Sequence, residues 1–196
     1  MALEKMTGVI LSGGKNSRMG KNKAFLDING VTLINRTVSL LRSIFAEIII
    51  VTNAPLDYLE QNVTLVTDIF KEKGALGGLY SGLFFASYPR SFVCACDMPF
   101  LEASFIHYML RLSGDFDIIV PHSGDGLQPM HAIYGKKCLS SIKNLFEQGN
   151  FKITGFYRGH KILTIKEDVI ESFDGGRKMF LNVNTSADYA RIKALL

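Results

Sequence analysis

The sequence predicts an α/β fold: a mostly parallel sheet with helices packed on both faces. Three observations carry this. Short β-branched runs alternate with segments of helical periodicity. One of these runs, Glu47-Ile-Ile-Ile-Val-Thr52, is apolar without alternation, as a strand buried on both faces should be. Polar or glycine punctuation at Gly13, Asn53, Asp68 and Asp97 follows successive runs. In open α/β sheets the ligand crevice lies outside the carboxyl ends of the strands, so these positions should converge on one site.

The elements follow in order. Val9-Ile10-Leu11 reads as a buried strand that breaks into a loop. Ile34, Val38, Leu41 and Phe45 recur at helical spacing, giving a helix over 33–45. Residues 47–52 form the second strand and 63–66 the third. Gly74-Ala-Leu-Gly-Gly78 reads as a second glycine loop feeding a helix over 79–87. Residues 92–96 are the fourth strand, 102–112 a helix and 117–120 the fifth strand. Beyond these, 131–134 reads as a strand, and 138–147 and 186–195 as helices. Gly175-Gly176 makes a turn before 179–183, and strand alternation there would put Asn182 and Asn184 on one face.

At 196 residues the chain predicts a single domain spanning 1–196, long enough to bury a core without disulfides. Hydrophobic residues are 47% and charged residues 20%, an ordinary globular balance. A formal charge of +4 does not argue for nucleic acid. Three cysteines without a C-x-x-C pair argue against a disulfide framework or structural zinc and fit a reduced, cytoplasmic setting. Cys94 and Cys96 read as buried thiols. Met-Ala-Leu-Glu-Lys-Met has no signal-peptide hydrophobic region, and no apolar stretch reaches the ~18 residues of a membrane span.

The chemistry concentrates after the first strand. Leu11-Ser-Gly-Gly-Lys-Asn-Ser-Arg-Met-Gly-Lys-Asn-Lys23 combines glycines with Arg18 and the lysines Lys15, Lys21 and Lys23. Glycine lets backbone approach an anion, and successive N–H groups can cradle phosphate oxygens. Arg18 can grip phosphate bidentately, and Lys23 supplies a point charge. The spacing is neither Walker A nor G-x-G-x-x-G. Asp97, in Cys-Asp-Met-Pro-Phe100, is placed to hold Mg²⁺, which commonly takes one or two carboxylates plus substrate phosphates. A helix N-cap is the structural alternative for it. Asp68 could bond base or ribose, Asn53 could read a base edge, and Gly78 would let backbone approach a base or sugar. All three are also ordinary turn residues. His131 reads as a packed core histidine. No Ser-His-Asp or Cys-His arrangement can be argued from the sequence, and no His/Cys spacing suits zinc.

On these residues the chain resembles the molybdenum cofactor guanylyltransferases. The resemblance rests on Leu11-Ser-Gly-Gly14 through Ser17-Arg-Met-Gly20 and Lys23, and on Gly74-Ala-Leu-Gly-Gly78. It continues through Cys96-Asp-Met-Pro-Phe100, Gln128-Pro-Met130 with Ala132-Ile-Tyr134, and Asn182-Val-Asn-Thr185. It implies a Rossmann-like nucleotidyltransferase fold of the glycosyltransferase-A-like kind. It implies transfer of GMP from GTP to the terminal phosphate of molybdenum-bearing molybdopterin, with release of pyrophosphate. Leu11, Ser12, Gly13 and Gly14 would meet the nucleotide, Lys23 the phosphates, and Asn53, Asp68 and Gly78 the guanosine. Asp97 would bind Mg²⁺, with Mn²⁺ the alternative ion. Arg18, Lys23 and Asp97 would be the catalytic set. Gln128, Asn182 and Asn184 are the candidates to face the second substrate, and an Asn182 or Asn184 amide oxygen could instead complete a metal shell. Molybdoenzymes or cofactor chaperones would be transient partners; nucleic acid and membrane would not. The family usually carries Asp before the loop lysine, where this chain has Asn22. The competing readings are another nucleotidylyltransferase, using CTP or a sugar phosphate, and a non-catalytic nucleotide- or cofactor-binding adaptor.

Overall fold

The centre of the molecule is β1 (Glu4–Leu11), whose last six residues are all buried. The structure, a computed structural model, describes residues 3–13, 22–173 and 178–195. A small hairpin of β2 (Asp27–Ile28) and β3 (Val31–Thr32) leads into α1 (Leu33–Arg42), capped by the Thr32 hydroxyl. β4 (Phe45–Val51), a 3-10 segment (Pro55–Gln61) and β5 (Thr64–Val66) follow. Next come α2 (Gly74–Phe85), β6 (Arg90–Ala95), α3 (Ala103–Arg111), β7 (Ile118–Ser123), β8 (Gly126–Leu127) and β9 (His131–Gly135). The chain closes with α4 (Cys138–Glu147), β10 (Ile162–Ile165), α5 (Glu167–Phe173) and α6 (Ser186–Leu195).

The main sheet runs β10-β7-β9-β6-β1-β4-β5, with β8 paired to β7. β1, β4, β5, β6, β7 and β10 point one way; β9 opposes its neighbours β6 and β7. The expected mostly parallel sheet is therefore present, with a reversed strand inserted. Alternation divides the core. Ile10 faces a layer with Ile34, Val38, Leu41, Phe92 and Phe105, beneath α1 and α3. Val9 and Leu11 face Leu76, Leu79, Leu83 and Ile142, beneath α2 and α4. No helix among the described residues is long and apolar enough to cross a membrane.

Three local expectations are corrected. The second glycine segment is not a loop: Gly74 adopts φ +58 at the start of α2, and Gly77 and Gly78 are buried inside that helix. Helix propensity alone disfavours so many glycines, but their lack of side chains lets α2 lie close on β1 and the 68–70 turn. Phe45 opens β4 rather than closing α1, because α1 ends at Arg42 and Ser43 turns the chain. Residues 181–184 form no strand; Val183 N–H donates to the Asp97 carbonyl at 2.9 Å, which draws this segment to the site as an isolated contact. The turn expected at Gly175-Gly176 lies outside the described residues.

One carboxylate clamps the sheet edge opposite the crevice. Glu47 on β4 accepts from the Thr7 hydroxyl on β1, and from Ser87 through its N–H at 2.8 Å and hydroxyl at 2.6 Å. Partial burial opposes its charge, but the Ser87 and Thr7 hydrogen bonds outweigh this and hold its carboxyl below the usual range. A depressed folded pKa gives stability that is present above the unfolded value and lost as pH falls through the folded one. Glu47→Ala is therefore expected to cost about 1–3 kcal/mol at neutral pH. Denaturant melts of the two proteins should converge under acid conditions.

Candidate functional site

The order of the strands fixes where a ligand can sit. From β1 the chain moves to β4 and β5 on one side, then crosses through α2 to β6 on the other. The β1/β6 boundary is thus a topological switch point, where open α/β sheets form their crevice. At its carboxyl edge the Cys96 N–H donates to the Leu11 carbonyl at 3.1 Å. Leu11-Ser12-Gly13 and Cys96-Asp97 therefore leave the sheet side by side.

Asp97 is mostly buried, its side chain 20% exposed, with Lys23 Nζ 3.8 Å from Oδ2. Burial raises its carboxyl above the ordinary value, and the Lys23 charge opposes that rise. Lys23 Nζ also donates to Asn184 Oδ1 at 2.9 Å. The structure thus brings Lys23, Asp97 and Asn184 together. Asn182 is exposed on the neighbouring segment. Gln128 sits beyond the carboxyl end of β7, donating to Ser123 Oγ at 2.9 Å, and the Met130 carbonyl accepts from Ala95 N–H beside Asp97.

A second group gathers at the ends of β4 and β5. Asn53 Nδ2 donates to Asp68 Oδ2 at 2.9 Å, and the Asp68 N–H points back to Asn53 Oδ1 at 3.4 Å. A Cβ on Gly78 would stand 3.5 Å from Leu11 and 3.7 Å from Asp68 Oδ1. Leu11, Gly78, Asp68 and Asn53 therefore form a chain of neighbours on the same edge as Asp97. Gly14 and Arg18 lie outside the described residues.

The histidine and the thiol nearest this edge are inert. His131 is fully buried between Phe92, Phe105 and Phe180, and neither ring nitrogen has a hydrogen-bond partner. Burial lowers its pKa to about 3, so the ring is neutral. The Cys96 thiol is pushed up to about 12 by burial and then by the Asp97 charge, so it is no nucleophile at neutral pH. Sequence reasoning missed two features. Tyr58, buried on the 3-10 segment, places its hydroxyl 2.6 Å from Ser12 Oγ; no motif marks it. His160 Nε2 lies 2.9 Å from Ser141 Oγ, with Nδ1 3.7 Å from Asp117 Oδ2. That Ser-His-Asp contact ties α4 to the amino end of β7, at the opposite edge from the crevice. Residues so distant in sequence carry no local signal.

A doubly covered, mainly parallel sheet with a lysine–aspartate pair at its switch point and a glycine-rich sequence after its first strand has the architecture of the nucleotidyltransferases. A similar fold is seen in a molybdopterin-guanine dinucleotide biosynthesis protein A from Archaeoglobus fulgidus (TM-score 0.83, 21% identity, 97% of this chain and 98% of that one). It recurs in a 2-C-methyl-D-erythritol 4-phosphate cytidylyltransferase from Thermus thermophilus (TM-score 0.71, 16% identity, 98% of both chains). Residues 8–163 match the model of the MobA-like NTP transferase domain. A molybdenum cofactor guanylyltransferase of Desulfosudis oleivorans is 34% identical over 196 residues, covering 99% of this chain and 97% of its own. A probable molybdenum cofactor guanylyltransferase of Pelotomaculum thermopropionicum is 32% identical over 189 residues, 96% and 92% of the two chains. The chain belongs to the molybdenum cofactor guanylyltransferase family, within the MobA-like NTP transferases.

Proposed function

We propose that this protein transfers GMP from GTP to the terminal phosphate of molybdenum-bearing molybdopterin and releases pyrophosphate. The observation that carries the reading is the Lys23–Asp97 pair, 3.8 Å apart, beside the backbone of Leu11-Ser12 at the switch point. Substrate identity rests on the family. GTP and molybdopterin are the substrates, molybdoenzymes or cofactor chaperones the transient partners, and the cytoplasm the setting. The chain works as one domain over 1–196.

Both reactants are anions, so the barrier contains strong charge repulsion. The backbone of Leu11, Ser12, Gly13 and Gly14 meets the nucleotide; the Ser12 N–H is already given to the Val51 carbonyl at 2.9 Å, so the N–H donors for phosphate come from Gly13 onward. Lys23 and Arg18 offset charge on the α-phosphate and the departing pyrophosphate. The attacking phosphate oxygen is already ionised at neutral pH, so no general base is required, and the buried neutral His131 is consistent with that. Asn53 and Asp68 meet guanosine: a carboxylate accepts the two N–H donors of the guanine edge, and the Asn53 amide fixes its orientation. Gly78 leaves room beside Leu11 and Asp68. Gln128, Asn182 and Asn184 face the second substrate.

Asp97 fits a hard divalent cation. It offers a desolvated oxygen ligand, and among the described residues no cluster of three or more ligating side chains exists to build a full cage. That suits Mg²⁺, or Mn²⁺, completed by substrate phosphates and water. When bound, such an ion supplies Lewis-acid stabilisation of phosphoryl charge.

Pyrophosphate release measured across the four NTPs, with and without metal-loaded molybdopterin, tests the reading. Release with GTP alone among the NTPs, dependent on molybdopterin, is expected. Consumption of CTP without GTP would move the protein to another nucleotidylyltransferase. GTP binding without release would leave it a carrier.

A further inference from the structure

We propose that Tyr58 is a positioning residue that fixes both shoulders of the phosphate-binding loop through one buried hydroxyl. The proposal rests on the reading of that loop as a triphosphate cradle. Tyr58 has no solvent exposure and its ring packs 5.0 Å from that of Phe25. Its Oη lies 2.6 Å from Ser12 Oγ and accepts from Asn22 Nδ2 at 2.9 Å. Ser12 stands just before, and Asn22 just after, the run 13–21 that holds the glycines, Arg18 and two of the lysines. One phenol thus bonds both ends of the segment.

The network has a fixed sense. An amide nitrogen only donates, so Oη is the acceptor toward Asn22, and the phenol proton is left for Ser12 Oγ at 2.6 Å. Burial raises the Tyr58 pKa, so the proton stays. The other side of the Asn22 amide is used too: Oδ1 accepts from the Ala24 N–H at 3.2 Å and caps the 3-10 turn Lys23–Phe25. Tyr58 therefore orients Asn22, Asn22 sets the turn that carries Lys23, and Lys23 Nζ reaches Asp97 at 3.8 Å. Asn22, where the family usually has Asp, gains a function here. An aspartate would offer only acceptors and would accept a hydrogen bond from the phenol, reversing the sense of that bond. Tyr58 also sits on the segment that follows Asn53, so it joins the phosphate end of the crevice to the end of β4.

Binding of inorganic tripolyphosphate, GTP and guanosine, measured by calorimetry on the full chain, tests this. Tyr58→Phe keeps the ring and deletes the hydroxyl. Its Kd for tripolyphosphate and for GTP should rise about tenfold, with guanosine unchanged. Asn22→Ala should do the same, and the double variant should be little worse than either alone, because both cut one network. Should Tyr58→Phe fail to fold, Asn22→Ala decides alone. Tripolyphosphate affinity within about twofold of the parent would overturn the proposal, as would a parent that binds no tripolyphosphate. An equal loss of guanosine would reduce Tyr58 to core packing and overturn it likewise. Tripolyphosphate carries no base, so an error in the assigned nucleotide or acceptor appears in the NTP assay and leaves this readout untouched.

Discussion

Asp97→Asn is expected to lower the rate of pyrophosphate release at least about 10²-fold while leaving the thermal midpoint equal or higher. The two effects have one origin. The carboxylate stands at the switch point with most of its side chain withdrawn from water, and burial raises its pKa above the ordinary 3.8 despite Lys23. An ionised group held in that place is a cost to the fold, accepted where a cation or phosphoryl charge must be met. Asparagine keeps the shape and removes the charge. Lys23 retains its bond to Asn184 Oδ1, so it is not left without a partner. For the sign, a carboxyl whose folded pKa is raised binds more protons folded than unfolded between the two values. Its contribution to stability therefore falls as pH rises through the folded value. The variant's advantage should be largest near neutrality and close as the pH drops into the ordinary carboxylate range. Melting without divalent cation, from about pH 4 to pH 8, measures it. Near-parental turnover in Asp97→Asn would remove Asp97 from the reaction.

The position of Asp97 was legible because strand-ending punctuation has a topological meaning. Apolar runs closed by Gly13, Asn53, Asp68 and Asp97 place four strand ends at one sheet edge, where Asn53 pairs with Asp68 and Asp97 with Lys23. Buried strands advertise themselves through β-branched runs, so β1, β4, β5, β6 and β7 were readable. The reversed direction of β9 was not. Residues 131–134 read as a strand, but nothing local tells a strand which way its neighbours run. The tail at 181–184 failed for a related reason. Its two asparagines alternate as in a strand, yet Val183 bonds the carbonyl of Asp97, a residue past the end of β6, and no ladder forms. Tyr58 was illegible because its partners Ser12 and Asn22 are 46 and 36 residues away. A tyrosine in a short turn after Pro55 looks the same whether its hydroxyl meets water or closes a network.

The glycines of α2 offer the sharpest test of how sequence sets this architecture. Gly82→Ala is expected to destabilise the protein by about 1–3 kcal/mol, lowering the thermal midpoint by several degrees at about 2–4 °C per kcal/mol for a chain of this size. In an isolated helix the change would help by about 1 kcal/mol. Here a Cβ would stand 2.5 Å from Val9 Cγ1 and 3.4 Å from Val51 Cγ2. Val9 cannot yield: it is fully buried, stiff at χ1, and paired in register with Ile49 on β4 and Val93 on β6. The helix must lift from the sheet, and Leu79 and Leu83 lift with it. Gly78→Ala, one turn earlier, meets Leu11 at 3.5 Å, an ordinary contact, so it should hold or raise stability. Its cost should fall on GTP affinity instead, because that methyl stands 3.7 Å from Asp68 Oδ1. Chemical melts and GTP titrations of the two variants separate packing from recognition. Adding Val9→Ala to Gly82→Ala opens the space the methyl needs, so the double variant should lose less than the two single losses added together. Strict additivity would mean that α2 does not rest on Val9, and the close approach of helix and sheet would need another cause.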